Sequence, residues 1–330
     1  MKRIAVLTSG GDSPGMNPAI RSITRTGLNK GLQIIGIRNG YQGLLDDEFV
    51  DLDILAVSGR VRDAGTFLQT SRCPEFETEA GQRRALDILA NRRIDGLVVI
   101  GGDGSLRGAR ALHKYGVHVI GLPGTIDNDI FGTDMGIGVD TALNTIISLI
   151  DMIKATAASH RRCFVVEVMG RASGYLALMS TISTGSQVAV IPEFRMNLDS
   201  IVGVLERRFS NNHNNSVIVV AEGVCEGAKF MERLLATGKV KQEVRLTVLG
   251  HIQRGGTPTH YDRLLASRMG EMAVLALMSG ESGAMISTVN GRTQLRDFDE
   301  ILDRRKALPG DAIRLARNIG IELGDVVEPA

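Results

Sequence analysis

The chain has 330 residues, which is enough for two lobes that each bury a core of their own. Its formal net charge of +1 gives no basic field for nucleic acid, so a nucleic-acid partner is not expected. Three scattered cysteines, Cys73, Cys163 and Cys225, provide neither a disulfide framework nor zinc-ligand spacing and favour a reducing compartment. No apolar run is long enough to span a membrane, and the run 4–7 is too short for a signal peptide. A cytoplasmic protein is expected.

Short apolar, β-branched runs recur along the chain with helical stretches between them. This alternation is typical of parallel sheets covered by helices on both faces, and it predicts an α/β fold. In such sheets ligands bind beyond the carboxyl ends of the strands, so the loops after the runs are the candidate sites. The runs are 4–7, 34–37, 97–100, 117–122, 164–168, 188–191 and 217–221.

Two of these loops carry paired glycines before a helical stretch. Gly10 and Gly11 follow the run 4–7, and Gly101 and Gly102 follow the run 97–100. A glycine pair removes the Cβ atoms that would keep a phosphate away from backbone amides. Asp103 adds a carboxylate to the second turn, as a magnesium–polyphosphate group needs. Either pair alone is also compatible with an ordinary tight turn, and no P-loop spacing occurs in the sequence.

The loop after the run 117–122 has the sequence PGTIDND at 123–129. Thr125, Asp127 and Asp129 occupy alternate positions, so in an extended segment their side chains point the same way. One hydroxyl and two carboxylates suit a metal–phosphate substrate and an alcohol that loses a proton. The alternative is an acidic turn that caps the next helix. We expect an active-site segment because other strand ends carry matching chemistry.

Three later loops place further polar side chains at strand ends. Arg171 follows the run 164–168, and a guanidinium suits charge spread over transferring phosphoryl oxygens. Glu222 follows the run 217–221 and can accept sugar hydroxyls. His251 and Arg254 lie beside paired glycines at 250–258, a combination that indicates an anion site. Any one of these side chains alone is more typical of a structural or surface position.

Taken together, the motifs resemble those of the ATP-dependent, bacterial-type 6-phosphofructokinase family over essentially the whole chain. They are TSGGDSPGMN at 8–17, GGDGS at 101–105, PGTIDND at 123–129, VMGR at 168–171, AEG at 221–223 and GHIQRGGTP at 250–258. GGDG also occurs in the NAD kinase and diacylglycerol kinase group, whereas PGTIDND followed by GHIQRGG is highly specific.

The resemblance implies a phosphofructokinase-like α/β fold with two similar lobes, each a mainly parallel sheet flanked by helices. A lobe that binds ATP and magnesium would comprise 1–138 and about 251–303. A lobe that binds fructose 6-phosphate would comprise 139–250 and about 304–330. The family is cytoplasmic and assembles as a homotetramer, and both properties are implied for this chain.

The implied reaction transfers the γ-phosphoryl group of MgATP to the 1-hydroxyl of fructose 6-phosphate, the committed step of glycolysis. Asp127 matches the general base, and Asp103, together with Asp129, matches positions that hold or orient Mg²⁺. The remaining matched catalytic positions are Thr125, Arg171, Gly11 and Arg72. The matched ATP-binding positions are Gly11, Tyr41, Arg72, Cys73, Gly102, Asp103, Gly104 and Ser105.

The sugar side of the resemblance includes residues from a neighbouring subunit. In the family the positions of Arg162 and Arg245 complete the site of the next subunit, which implies sites shared across an interface. The matched substrate-binding positions are Thr125, Asp127, Arg162, Met169, Gly170, Arg171, Glu222, Arg245, His251 and Arg254.

Two glycines bear on the phosphoryl donor. Pyrophosphate-using relatives tend to have Asp in place of Gly104 and Lys in place of Gly124, so ATP is expected here. A pyrophosphate-dependent or other polyol kinase on the same scaffold is the second interpretation. The third is a non-catalytic sensor of a sugar or nucleotide, which would need neither Asp127 nor Arg171.

The chain departs from the family pattern at two places. At the adenine end Tyr41 matches, but Cys73 stands where an aromatic residue is usual, and Glu77 and Gln82 replace basic residues. At the effector site, which binds ADP or phosphoenolpyruvate in the family, several cations are missing. Positive charge is kept at Arg21, Arg25 and Lys154. Cations are replaced by Ile54, Asn211 and His213, and a magnesium-binding Glu is replaced by Gln187. Because charge-assisted contacts contribute about 1.5–3 kcal/mol each, weak allosteric control is expected.

Overall fold

The computed structural model describes residues 1–211 and 215–326, so His213 lies outside the described residues. The strands are β1 (Arg3–Ser9), β2 (Gln33–Ile37), β3 (Phe49–Asp51), β4 (Gly96–Gly101), β5 (Val119–Pro123), β6 (Cys163–Val168), β7 (Val188–Val190), β8 (Phe194–Arg195), β9 (Ser216–Ala221), β10 (Val244–Val248), β11 (Ala284–Val289), β12 (Arg292–Asp297) and β13 (Asp325–Val326).

Helices connect most of these strands. They are α1 (Met16–Asn29), α2 (Gly40–Leu45), α3 (Glu79–Asn91), α4 (Asp103–Lys114), α5 (Val139–His160), α6 (Tyr175–Thr184), α7 (Leu198–Ser210), α8 (Gly227–Ala236), α9 (His260–Met278), α10 (Phe298–Ile301) and α11 (Gly310–Asn318). Short 3₁₀ turns cover Arg60–Arg62, Pro74–Glu77 and Gly250–Arg254. None of the helices among the described residues has the length and apolarity needed to cross a bilayer.

The chain divides into two compact units. The first unit contains Met1–Ile126, Ile130–Thr141 and Arg254–Lys306. The second unit contains Asp127–Asp129, the described part of Ala142–Gln253, and the chain from Ala307 to 326. The assignment of one ligand to each lobe stays a prediction.

The first unit is built on a seven-stranded sheet in the order β12-β11-β5-β4-β1-β2-β3. The five inner strands are parallel, whereas the edge strands β3 and β12 pair antiparallel with β2 and β11. Alternate residues of the inner strands enter two separate cores. Ile4 and Val6 pack with α1 and α9, and Ala5 and Leu7 pack with α2, α3, α4 and α10. Helices therefore cover both faces, as the apolar runs predicted.

The second unit is built on a four-stranded parallel sheet in the order β10-β6-β9-β7. One face of this sheet packs against α7 and α8 through a core that includes Leu205 and Phe230. A separate pair, β8 and β13, is antiparallel. Both units are thus mainly parallel α/β structures, and the predicted fold class is confirmed.

Register aligns the ends of three strands in the first unit. Ser9 at the end of β1 pairs with Gly101 at the end of β4, and Gly101 pairs with Pro123 at the end of β5. Since parallel strands end at one edge, the loops that follow them leave the sheet side by side. Both glycine-rich turns and the start of the PGTIDND segment consequently lie at this edge.

Candidate active site

The first glycine-rich turn follows β1 and is covered by Arg254. Gly10 adopts φ 81°, a conformation that glycine tolerates without strain, and its carbonyl accepts a hydrogen bond of 2.8 Å from Thr70 Oγ1. Arg254 donates from Nη1 to the carbonyl of Asp12 at 2.7 Å. A Cβ at Gly11 would collide with the Arg254 guanidinium. Arg254, expected to bind the sugar phosphate, therefore contacts the expected nucleotide turn in the first unit.

The second glycine-rich turn begins α4 and lies beside Thr125. The amide of Gly124 donates to the carbonyl of Gly101 at 2.9 Å. A Cβ at Gly102 would lie 3.8 Å from the Cβ of Thr125, whose side chain is buried. Ser105 is held from the other side, because its carbonyl accepts a hydrogen bond of 2.7 Å from the hydroxyl of Tyr41. The structure thus brings Thr125 and the GGDGS turn together.

Asp103, the expected magnesium ligand, is paired with a cation from the next turn of α4. Arg107 Nε donates to Asp103 Oδ2 at 2.8 Å, and Arg107 Nη1 donates to Asp303 Oδ1 at 3.0 Å. These contacts raise the pKa of the Arg107 guanidinium, chiefly through the hydrogen bond to Asp103. The Arg107 guanidinium therefore binds the carboxylate of Asp103 that a metal ion would use.

The residues present fit a magnesium ion that is held mainly by nucleotide phosphates. Among residues 1–211 and 215–326 there is no cluster of three or more His, Cys, Asp or Glu side chains arranged for a metal. Mg²⁺ commonly uses one or two carboxylates together with substrate phosphates and water. A half-buried carboxylate at the amino end of α4, such as that of Asp103, meets this requirement.

The residues expected at the adenine end are placed unequally. Tyr41 is buried, and its ring stacks on Phe76 with a centroid distance of 3.9 Å, so one ring face is already covered. Burial raises the pKa values of the Tyr41 hydroxyl and of the half-buried Cys73 thiol. Arg72 is exposed. Tyr41 supports the wall of the turn around Ser105, whereas Arg72 is accessible to a ligand.

The expectation of an extended PGTIDND segment is wrong. The strand β5 ends at Pro123, the chain bends at Ile126 and Asp127, and Asn128 adopts a left-handed conformation with φ 51°. Asn tolerates this conformation better than most residues, which permits the bend. The two carboxylates consequently differ in environment: Asp127 is 3% exposed, whereas Asp129 is half-buried.

In the second unit, three loops meet beyond the carboxyl ends of β6, β9 and β10. The amide of Arg171 donates to Glu222 Oε1 at 3.0 Å, which joins the loops after β6 and β9. The amide of Met169 donates to Gln253 Oε1 at 3.1 Å, and Gln253 Nε2 donates to the carbonyl of Gly250 at 2.9 Å. Gly170, Arg171, Glu222 and residues 250–253 are therefore held together within the second unit.

Gln253 is a positioning residue that the sequence analysis did not single out. Its side chain is fully buried and ties the turn that carries His251 to the end of β6. The GHIQRGG motif contains it, but spacing alone gives no reason to prefer a glutamine among its neighbours. The full burial of the Gln253 side chain, which distinguishes it from its neighbours, is evident only from the structure.

Arg162 and Arg245 lie at the opposite end of the second-unit sheet from Met169. Arg162 precedes β6, and Arg245 in β10 pairs with Phe164 near the start of β6. Both arginines bind Glu243, with 2.6 Å between Arg162 Nε and the carboxylate, and they lower the pKa of Glu243. A strand of this length spans about 20 Å. The two arginines therefore do not join Met169 and Glu222 within one chain.

The expected effector residues are divided between the two units. Arg21 and Arg25 lie on α1 in the first unit, where Ile54 is 53% exposed. In the second unit Lys154 donates to the carbonyl of Thr184, and burial lowers the pKa of its ammonium group.

Gln187 uses both ends of its amide on the backbone. Its Oε1 accepts from the amide of Val217 at 2.9 Å, and its Nε2 donates to the carbonyl of Gly185 at 2.9 Å. The amide therefore completes the local backbone pairing and offers no carboxylate to a metal.

The two donor-linked glycines differ in available space. A Cβ at Gly104 has nothing within 4 Å, so the protein itself would accommodate a side chain there. A Cβ at Gly124 would lie 3.0 Å from Ile100 Cγ2 and 3.1 Å from Met16 Cε, so a larger residue would disturb the core. A change of donor would therefore be sterically easier at Gly104.

Glycine-rich turns and a magnesium-compatible carboxylate at the strand ends of the first unit, with polar loops at the strand ends of the second, define the class of an α/β protein suited to phosphorylated ligands. A family model described as phosphofructokinase matches residues 3–277. The chain belongs to the phosphofructokinase family.

Relatives at high identity span the whole chain. A protein of Shouchella clausii named ATP-dependent 6-phosphofructokinase is 47% identical over 321 residues, covering 97% of this chain and 100% of the relative. A protein of Halothermothrix orenii with the same name is 46% identical over 327 residues, covering 96% of this chain and 98% of the relative.

Solved structures share the fold. Phosphofructokinase from Saccharomyces cerevisiae matches with a TM-score of 0.86 and 36% identity over 98% of this chain, which spans 48% of that yeast chain. A pyrophosphate-dependent phosphofructokinase from Marinobacter aquaeolei matches with a TM-score of 0.83 over 100% of this chain and 98% of its own. Its identity of 18% supports the fold alone.

Replacing Arg107 by Gln is expected to tighten the binding of MgATP by up to about fivefold. The change removes the cation that competes with magnesium for Asp103, and a half-exposed ion pair contributes about 0–1 kcal/mol. Titration calorimetry of each purified variant with MgATP measures the effect. Arg110→Gln is the matched control, because Arg110 pairs with Asp299 and Asp303 instead of Asp103. Equal or weaker binding by Arg107→Gln would contradict the competition.

Proposed function

We propose that the chain transfers the γ-phosphoryl group of MgATP to the 1-hydroxyl of fructose 6-phosphate and releases fructose 1,6-bisphosphate and ADP. Phosphorylation of fructose 6-phosphate with ATP is the activity named in bacterial relatives that match essentially end to end at 46–47% identity. That full-length identity is the observation that carries the function. The side-chain roles below rest on the geometry within each unit and on the family resemblance.

The nucleotide is assigned to the glycine-rich turns of the first unit. Gly11 and the start of α4 at Gly102 present backbone amides without Cβ atoms in the way, which suits phosphate oxygens. Asp103 holds the magnesium ion that offsets phosphate charge when the nucleotide is bound. Binding releases Arg107 from Asp103. Arg72 is exposed and free to approach the γ-phosphoryl oxygens.

The sugar phosphate is assigned to the loops beyond the strands of the second unit. Glu222 accepts sugar hydroxyls, and Met169 packs against the ring. His251 donates a hydrogen bond to the 6-phosphate and Arg254 supplies positive charge, so Arg254 exchanges the carbonyl of Asp12 for a phosphate oxygen. Arg171 is exposed at the end of β6 and interacts with the transferring group.

Asp127 is assigned as the general base. Its carboxylate takes the proton of the 1-hydroxyl while that oxygen forms a bond to the γ-phosphorus and the bond to the β-phosphate oxygen breaks. The electron pair of the broken bond leaves with ADP, and the proton stays on Asp127 until product release. Arg171 and Arg72 stabilise the charge on the transferring oxygens, and Thr125 orients the reacting group.

A homotetramer is assigned from the family resemblance, and a site shared between subunits is supported by two arginines of the substrate set that lie at the far end of their own sheet. Arg162 and Arg245 are about 20 Å from Met169 along β6, yet both present cationic groups on one surface. In a neighbouring subunit's site they would exchange Glu243 for the sugar's 6-phosphate. A glycolytic enzyme of this kind operates in the cytoplasm.

With MgATP the purified protein is expected to form fructose 1,6-bisphosphate, and with magnesium pyrophosphate it is expected to form essentially none. The physical reason is that Gly104 leaves room for the α-phosphate of ATP and Gly124 provides no lysine to neutralise pyrophosphate. An aldolase-coupled assay with each donor distinguishes the two. Faster turnover with pyrophosphate than with ATP would show that pyrophosphate is the phosphoryl donor.

Control by ADP and phosphoenolpyruvate is expected to be weak. Lys154 is tied to the Thr184 carbonyl, Gln187 is used by the backbone, and Ile54 offers no charge. The fructose 6-phosphate saturation curve is therefore expected to keep its midpoint when either effector is added at a concentration below about 1 mM. A strong shift of that midpoint would show that the remaining cations suffice.

A further inference from the structure

A buried carboxylate outside the substrate-binding set links three segments of the candidate site. Asp262 lies in the first turn of α9 and is 0% exposed. Its Oδ1 accepts from the amide of Gly138 at 2.9 Å, and its Oδ2 accepts from the amide of Thr141 at 2.8 Å and from Thr141 Oγ1 at 2.5 Å. Asp262 therefore satisfies the amino end of α5, whose first amides have no intrahelical acceptor.

The two helices α5 and α9 cap each other. Thr259, the N-cap of α9, donates its amide to Thr141 Oγ1 at 3.0 Å and its hydroxyl to Asp140 Oδ2 at 2.6 Å. Thr259 Oγ1 in turn accepts from the amide of Asp262 at 3.2 Å. We call these four residues, Asp140, Thr141, Thr259 and Asp262, the reciprocal cap. It fixes the start of α5 to the start of α9 through charge-assisted hydrogen bonds.

The reciprocal cap is connected to the catalytic segment through a short β-bridge. Gly124 pairs with Ile137, and the amide of Ile137 donates to the carbonyl of Pro123 at 2.7 Å. Gly138 follows Ile137 directly and carries one of the hydrogen bonds to Asp262. The backbone immediately before Thr125 is therefore joined to Asp262 through Ile137 and Gly138.

The first glycine-rich turn also packs against Ile137 and Asp262. Gly15, with φ 109°, has so little space that a Cβ there would lie 2.6 Å from Ile137 Cγ2 and 3.6 Å from Asp262 Cβ. Gly138 has φ 104°, and a Cβ there would lie 2.7 Å from the Cβ of Ser13. Within the first unit, the turn at 8–15 thus packs against Ile137 and Asp262, and the segment at 123–125 is joined to Asp262 through Ile137 and Gly138.

We propose that Asp262 is a positioning residue for phosphoryl transfer, which holds the amino end of α5 and thereby the Pro123–Thr125 backbone in register with the first glycine-rich turn. The inference rests on the proposed function for its consequence in turnover. It does not depend on that function for the hydrogen bonds themselves. Misplacement of reacting groups by about 1 Å can cost about a hundredfold in rate, so loss of the cap is expected to act on kcat.

The protonation state of Asp262 gives this proposal a signature. Burial raises its pKa to about 6, opposed by hydrogen bonds from Thr141 and Gly138, and the charge of Asp140 raises it further. The ionisable groups that face it are Asp140 on α5 and Tyr261 on α9, while the turn before α1 contributes Gly15. Each carboxylate oxygen already receives a donor, so a proton on either oxygen displaces a cap hydrogen bond.

Two pH dependences follow, and they have different signs. Turnover is expected to fall as pH decreases through about 6, because protonation loosens the cap. Folding free energy changes in the other direction: a carboxyl pKa raised on folding contributes stability that is lost as pH rises from its unfolded value towards about 6. The second dependence reports the buried carboxylate whether or not the protein is a kinase.

The test compares Asp262→Asn, Thr141→Val and Thr141→Ser with the unaltered protein between pH 5 and 8, a window set by the pKa near 6. Asp262→Asn is expected to lower kcat by about tenfold to a hundredfold with little change in either KM, and to lose the acidic limb near pH 6. Thr141→Val removes a hydrogen bond that lowers the pKa, so its acidic limb moves to higher pH. Thr141→Ser keeps the hydroxyl and is expected to behave as the unaltered protein.

Thermal unfolding of the same variants separates the possible failures. The stability advantage of the unaltered protein over Asp262→Asn is expected to shrink as pH rises from about 4 to about 6. A protein that lacks kinase activity but keeps this dependence would refute the proposed function alone. An active protein whose Thr141→Val variant has an unchanged pH profile would refute the positioning role, and this holds even if Asp262→Asn fails to fold.

Discussion

The parallel register of β1, β4 and β5 is the constraint on which the candidate site depends. Ser9, Gly101 and Pro123 end level with one another, so three loops of different sequence leave the sheet at one edge. Helices packed on both faces hold that register, with Ile4 and Val6 facing one core and Ala5 and Leu7 facing the other. Backbone amides, a carboxylate and a buried threonine are thereby assembled at one edge of the sheet. Preorganisation of this kind removes much of the cost of orienting reacting groups.

Several cations expected to meet phosphate are already held by oxygen atoms of the protein. Arg254 binds the carbonyl of Asp12, and Arg162 and Arg245 both bind Glu243. Phosphate ligands bring stronger charge and would exchange with these partners. The protein contacts keep the guanidinium groups near their places and avoid unpaired charge. A phosphate ligand has to break these protein contacts in order to bind. Its affinity therefore depends on how strong the contacts are.

Much of the fold could be predicted from the sequence because most of its inner strands are continuous apolar runs such as 97–100. The inner strand β11 was missed because Ser287 and Thr288 interrupt its apolar sequence. The edge strand β12 was missed because five of the six residues of Arg292–Asp297 are polar and none is fully buried. Motif residues such as Asp103 could be proposed from type and spacing alone. The bend at Asn128 could not, because it depends on a left-handed backbone conformation. Asp262 was also out of reach, since the residues that donate to its carboxylate lie more than 120 residues away in the chain.

We propose that the carboxylate of Asp127 removes the proton from the sugar hydroxyl during phosphoryl transfer. The most direct measurement compares turnover with fructose 6-phosphate affinity in Asp127→Ser, with Asp87→Ser on the exposed face of α3 as the matched control. We expect kcat to fall by about 10²- to 10⁴-fold while the dissociation constant for fructose 6-phosphate changes little. Turnover near that of the control would contradict the assignment, as would a loss confined to sugar binding.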